Sequence, residues 1–226
     1  MQVVPLEPAR RLRGDGGSAI VEAAFVAPLF MYLLMGVLEF GMYFRNWLTL
    51  GAGITDGART LAILGNVVNT DYASLQDIKK TMAGISQNDI VKIVVFDPSS
   101  DAAGSTTAAQ KANPVNATVP ASCLAITTQT IGANGVTGVC NVYTPTVAWA
   151  TSANVSQYAC TAAGQPNYSR WWCPTDRKVA KQGANGPPSF VGLYIEVNHK
   201  FITGIFGKTR VMGQQVIVRN EPQSLQ

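Results

Sequence analysis

Charge is what this chain has least of. Only 13% of its 226 residues are Asp, Glu, Lys or Arg, against about 25% in ordinary soluble domains. The net charge of +4 is mild, and no block of Lys and Arg is dense enough to form a nucleic-acid footprint. Histidine occurs once, at His199, and no two of the four cysteines form a CxxC pair. Structural zinc sites usually present their ligands as such close pairs, so the pattern argues against a metal. GxSxG, HExxH, Walker and GxGxxG motifs are all missing, as are paired carboxylates in a catalytic setting. His199 alternates with the core positions of a strand and reads as a hydrogen-bonded sheet histidine. Neither enzymatic activity nor a cofactor is expected.

Hydrophobic residues, at 47%, are what the chain has in quantity. Residues 1–17 form a basic leader with Arg10, Arg11 and Arg13, ending in the flexible string "GDGG". From Ser18 to Phe44 follows "SAIVEAAFVAPLFMYLLMGVLEFGMYF", 27 residues with only two charges, Glu22 and Glu39. As a helix this run extends roughly 40 Å at 1.5 Å per residue, and about 20 residues suffice to cross a bilayer core. The arginines precede it, so the positive-inside rule keeps the N-terminus cytoplasmic and exports the rest. A cleaved secretory signal has a shorter apolar core and no acids within it. A plain anchor explains the length but not the carboxylates, each costing roughly 2.5–3.5 kcal/mol near a helix centre. Glu39 lies near the end of the run and is expected at the membrane interface, where snorkelling lowers that cost.

The arrangement Gly17, Ser18 and then Glu22 at the fifth position of a long apolar helix resembles the processing site of type IV pilin-like precursors. The longer string "GSAIVEAAFVAPLFMYLLMGVLEFG" is similar to the TadE-like pseudopilins, minor pilins of the Flp/Tad system. The shared features are Val21-Glu22, Pro28 and Glu39-Phe40-Gly41. Major Flp pilins are shorter and carry Tyr after the glutamate, where this chain has Ala23. The resemblance implies that a prepilin peptidase cuts between Gly17 and Ser18. It implies too that Glu22 pairs with the α-amine which cleavage creates on Ser18 of a neighbouring subunit. Opposite charges in a low-dielectric medium offset each other's desolvation. Pro28 removes one helical N–H and is expected to bend the helix.

Beyond the run, residues 45–97 read as a continuing helix, an amphipathic helix and a first strand. The helix continuation carries Leu48, Ala52, Thr55, Arg59 and Ala62 at helical intervals, with Gly53 and Gly57 spaced for close packing. Leu75, Ile78, Met82 and Ile85 mark the amphipathic helix, with Asp71 or Ser74 as its cap and Gly84 at its end. "DIVKIVVFDP" is the first strand. Residues 189–226 hold the C-terminal antiparallel strands, "GLYIEVNHKF" and "TRVMGQQVIVRNE", joined through Gly204 and Gly207. Leu193, Ile195, Val197 and His199 share a face of the former. The fold class expected is α+β: a pilin-like transmembrane helix, then helices on an antiparallel sheet.

Residues 98–188 form a long insertion containing Cys123, Cys140, Cys160 and Cys173. An even cysteine count in an exported segment fits two disulfides, with three pairings open; four buried thiols are the competing reading. Tyr168, Arg170, Trp171 and Trp172 form a candidate contact surface, although tryptophans beside a cysteine also pack over disulfides. The function expected from the resemblance is assembly of a Flp/Tad pilus used for surface adhesion or secretion. The expected partners are the prepilin peptidase, other pilins and pseudopilins, Tad inner-membrane assembly proteins and membrane lipid. The competing function is a single-pass anchored binding module whose insertion recognises an extracellular ligand.

Overall fold

The computed structural model describes residues 16–100, 114, 118–127, 135–149, 155–160, 167–179, 189–204 and 206–220. The chain divides after Gly41 into two compact units, the second starting at Met42. One helix, α1 (Gly16–Leu64), supplies the first unit and the opening helix of the second, with Pro28 inside it.

In the second unit α1 ends at Gly65, whose φ of 55° and bond from its N–H to the Leu61 carbonyl close the helix with a left-handed residue that glycine adopts freely. The chain reverses into α2 (Thr70–Thr81). Close packing of the two helices depends on the absence of side chains at Gly53 and Gly57. A Cβ at Gly53 would lie 2.5 Å from Met82 Cγ, and one at Gly57 2.5 Å from Ile78 Cγ1. The buried stripe of α1 is Leu50, Ile54, Ala58 and Leu61. Leu48, Ala52, Thr55 and Arg59 instead face outward. Both sets are spaced as a helical stripe, and only the set with the larger apolar area gains by burial against the sheet.

Five strands form one antiparallel sheet among the described residues, in the order β2-β3-β1-β4-β5. They are β1 (Ile90–Phe96), β2 (Gly135–Val136), β3 (Cys140–Tyr143), β4 (Phe190–Lys200) and β5 (Thr209–Arg219). β4 and β5 pair along their whole length, from Phe190 opposite Arg219 to Lys200 opposite Thr209. Gly204 and Gly207, both with positive φ, turn the chain between them. On the helix side, Ile93, Val95, Leu193, Ile195 and Val197 join the α1 and α2 stripes in the main core. On the other side, Val94 and Phe96 pack with Val119, Cys123, Cys140 and Val142. Short helix α3 (Ala121–Leu124) belongs to that layer, and its Leu124 carbonyl accepts a 2.5 Å bond from the buried Lys92 Nζ.

The insertion is thus part of the sheet. Its β3 pairs with β1, Cys140 opposite Phe96 and Tyr143 opposite Ile93, and short helix α4 (Pro145–Ala148) follows. The two disulfides are Cys123–Cys140 and Cys160–Cys173, and no described cysteine is free. Each closes a short loop, 17 and 13 residues apart in sequence.

Candidate functional site

The apolar helix sets up the first site. From Gly17 onward the helix is long and apolar enough to cross a membrane, and its most apolar window is entirely unburied. Ile20, Phe25, Leu29, Tyr32 and Val37 are each more than 60% exposed. These residues point to every side of the helix, as in a membrane span and unlike the single stripe of a surface helix. One N-terminal helix of this kind fits a single-pass membrane anchor.

Ser18 and Glu22 are both exposed and stand four residues apart, so they share one face one turn from each other. Gly17 lies in the first turn of α1, where backbone N–H groups have no intrahelical partner. Pro28 is accommodated within the continuous helix. Glu39 is 1% exposed, between Leu38 and Phe40 at 60% each. The arginines of the leader lie outside the described residues.

The second site is a polar cluster that the sequence reading did not assemble. Asp71, in the first turn of α2, is fully buried and does not cap its helix. Its carboxylate receives two bonds from Arg177, Nη1 to Oδ1 at 2.6 Å and Nη2 to Oδ2 at 2.8 Å. Tyr143 Oη donates to Oδ2 at 2.7 Å and Asn141 Nδ2 at 3.0 Å. Asn141 and Tyr143 lie two apart on β3, so both reach the same side of the sheet. Asn141 also accepts from the Trp172 N–H at 2.9 Å and donates to the Trp172 carbonyl at 2.8 Å. The Arg177 guanidinium lies 4.4 Å over the Trp172 ring. Burial, and secondarily the Asp71 carboxylate, push the Tyr143 hydroxyl well above its ordinary pKa. The other expected cap, Ser74, donates to the Gly57 carbonyl at 2.9 Å and joins α2 to α1.

The four residues of the candidate contact surface separate. Trp172 is a core residue at 6% exposure, held inward by Asn141 and Arg177. Tyr168 is half-buried, with its ring against Tyr158 at 5.3 Å. Arg170 and Trp171 remain half-exposed as a cation–π pair at 4.8 Å. His199 is buried, and its Nδ1 is 3.0 Å from Asn46 Nδ2. A cleft of about 450 Å³ lies between α1 and α2. There Thr81 donates to Asp56 at 2.7 Å and Thr60 to Asp77.

No curated protein and no solved structure matches the chain. Residues 17–59 match the family model of TadE-like proteins, covering the apolar run, Glu22, Pro28 and the α1 stripe as far as Arg59. That segment is about a fifth of the chain's length, and over it the chain is similar to TadE-like proteins.

Proposed function

We propose that this protein is a pseudopilin, or minor pilin, that a prepilin peptidase cuts between Gly17 and Ser18 and that then takes part in assembling a Flp/Tad pilus for adhesion or secretion. The observation that carries the reading is an unburied, all-round apolar helix with a carboxylate near its start, inside the segment that matches TadE-like proteins. Cleavage supplies the missing cation. The new ammonium on Ser18 sits at the end of the helix, and Glu22 of an adjacent subunit accepts it within the membrane. Removing either charge leaves the other unpaired in a medium of low dielectric. Pro28 loosens the helix between this charged end and the exported domain.

In this reading the precursor spans the inner membrane once, with its N-terminus cytoplasmic and the disulfide-bonded domain outside. Its partners are the peptidase, other pilins and pseudopilins, and the inner-membrane assembly proteins; the role is structural rather than catalytic. The half-exposed Arg170 and Trp171 pair favours the competing reading, a single-pass anchored binding module whose insertion recognises an extracellular ligand. N-terminal sequencing of membrane-extracted protein tests the first reading and is expected to begin at Ser18. A start at Met1, in cells with an active prepilin peptidase, overturns it. Glu22→Ala is expected to spare insertion and cleavage and to impair assembly; unchanged piliation refutes the ion pair.

A further inference from the structure

The loop joining β4 to β5 combines apolar and basic groups at one end of the sheet. Ile202 is 75% exposed, Phe206 48% and Val211 60%, while Lys208 and Arg210 are exposed beside them. Phe201 anchors the loop: its N–H bonds the Lys208 carbonyl at 3.0 Å, and its ring stacks on Tyr43 with centroids 6.2 Å apart and planes 13° apart. His199, two residues earlier on β4, meets Tyr43 edge-on at 5.3 Å and Asn46 at 3.0 Å. The hairpin end is therefore level with Tyr43 and Asn46 of α1, the point where the apolar run finishes at Phe44, itself 60% exposed. Side chains as apolar as Ile202 and Phe206 cost free energy in water, and Lys and Arg alongside them are the usual complement of an interfacial lipid contact. Lys200 is already engaged by Asp89 at 2.5 Å, which leaves Lys208 and Arg210 to meet anions.

We infer that the β4–β5 hairpin end is a membrane-interface contact, in which Ile202 and Phe206 enter the headgroup region and Lys208 and Arg210 bind anionic phospholipid headgroups. The inference rests on the reading of residues 18–44 as the membrane span. A second attachment beside the helix would set the height of the exported domain on the bilayer before assembly. Extraction of the subunit into a filament would break that attachment.

The native cysteines are consumed in disulfides, so a single introduced cysteine can carry an environment-sensitive fluorophore. The full chain is reconstituted in vesicles of neutral phospholipid, with or without phosphatidylglycerol, containing lipids that bear a quencher at the headgroup boundary. Ile202→Cys reports on the hairpin, Tyr32→Cys on the span, and Ile63→Cys on a position roughly 30 Å along α1 from Tyr43. Labels at 202 and 32 are expected to blue-shift, with 202 quenched and 63 neither shifted nor quenched. The response at 202 is expected to be lost in Lys208→Gln/Arg210→Gln and in neutral vesicles. A blue-shifted label at 32 with an unshifted, unquenched label at 202 overturns the hairpin contact while leaving the span intact. An unshifted label at 32 overturns the span itself. Equal quenching at 202 in neutral and anionic vesicles overturns the headgroup recognition.

Discussion

Arg177 and Asp71, 106 positions apart, meet in a fully buried pair that ties the disulfide-bonded insertion to α2. Each guanidinium nitrogen of the pair faces its own carboxylate oxygen, at 2.6 and 2.8 Å, and Tyr143 and Asn141 occupy the remaining acceptor capacity of Oδ2. The Arg177 Nε is buried without a hydrogen-bond partner, so the pair is not fully satisfied; what it makes costly is the loss of one partner, which leaves the other charge buried alone.

Removing one partner should therefore be costly. Arg177→Met leaves the Asp71 carboxylate buried with only two neutral donors and is expected to destabilise the exported domain by about 3–5 kcal/mol. The double replacement Asp71→Leu/Arg177→Met should recover much of that loss. Denaturant midpoints of full-length protein in detergent, taken for both single variants and the double, measure the coupling. Additive losses would contradict the buried pair.

The disulfides make a separable contribution. Cys160→Ser/Cys173→Ser opens a loop of 13 residues, and closing a loop of that length is worth about 3 kcal/mol. The variant should unfold at a lower denaturant concentration yet keep the sheet, whose β1, β4 and β5 pair independently of that loop. Peptide mapping without reduction should link Cys123 to Cys140 and Cys160 to Cys173. Any crossed pair would refute the pairing.

At Gly57 a small side chain tests packing against propensity. In an exposed helix Gly→Ala stabilises by about 0.8–1.0 kcal/mol. Here the added Cβ would lie 2.5 Å from Ile78 Cγ1 and 3.0 Å from Leu193 Cδ2, and overpacking of this kind costs about 1–3 kcal/mol. Gly57→Ala is expected to lower the thermal midpoint. A raised midpoint would mean that α2 shifts away freely.

Stability should fall in alkali. Burial, followed by the Glu196 carboxylate that its hydroxyl bonds at 3.0 Å, pushes Tyr194 up to about 12. Tyr143 and Tyr158 are raised as well, each chiefly by burial. Above the ordinary tyrosine pKa of about 10 the unfolded chain releases these protons while the folded one holds them, so unfolding gains on folding. Their contribution is fully present below about pH 10 and, for Tyr194, is lost as pH rises to about 12. Denaturant midpoints across that window should decline less steeply in Tyr194→Phe than in the parent. An identical slope would remove Tyr194 from the linkage.

Local pattern made much of this architecture legible. Leu75 and Ile78 announce α2 and are buried, as are Met82 and Ile85, although the helix ends at Thr81 and not at Gly84 as expected. Leu193, Ile195, Val197 and His199 alternate into the core of β4 as their spacing implies. Asp71 illustrates the limit. Near a helix start it reads as a cap, because a cap is a local interaction, whereas its true partner lies in a loop with no periodic signal. The strand-like string "VYTPTVAWA" overlaps β3 only at Val142 and Tyr143 and runs on into α4: four residues are too few to establish an alternation, and the pairing of β3 with β1 spans a long insertion.

The sequence by itself determined the apolar run with its early glutamate, the even cysteine count, and the order of the two long helices and of β1, β4 and β5. Each of these is a short-range property of composition or period. Only the tertiary structure decided which stripe of α1 is buried, which cysteines pair, that Trp172 turns inward, and that Asp71 answers to Arg177. Helical period admits two stripes on α1, and four cysteines admit three pairings. The choice among them is made by the total apolar area buried and the charges compensated once distant segments meet.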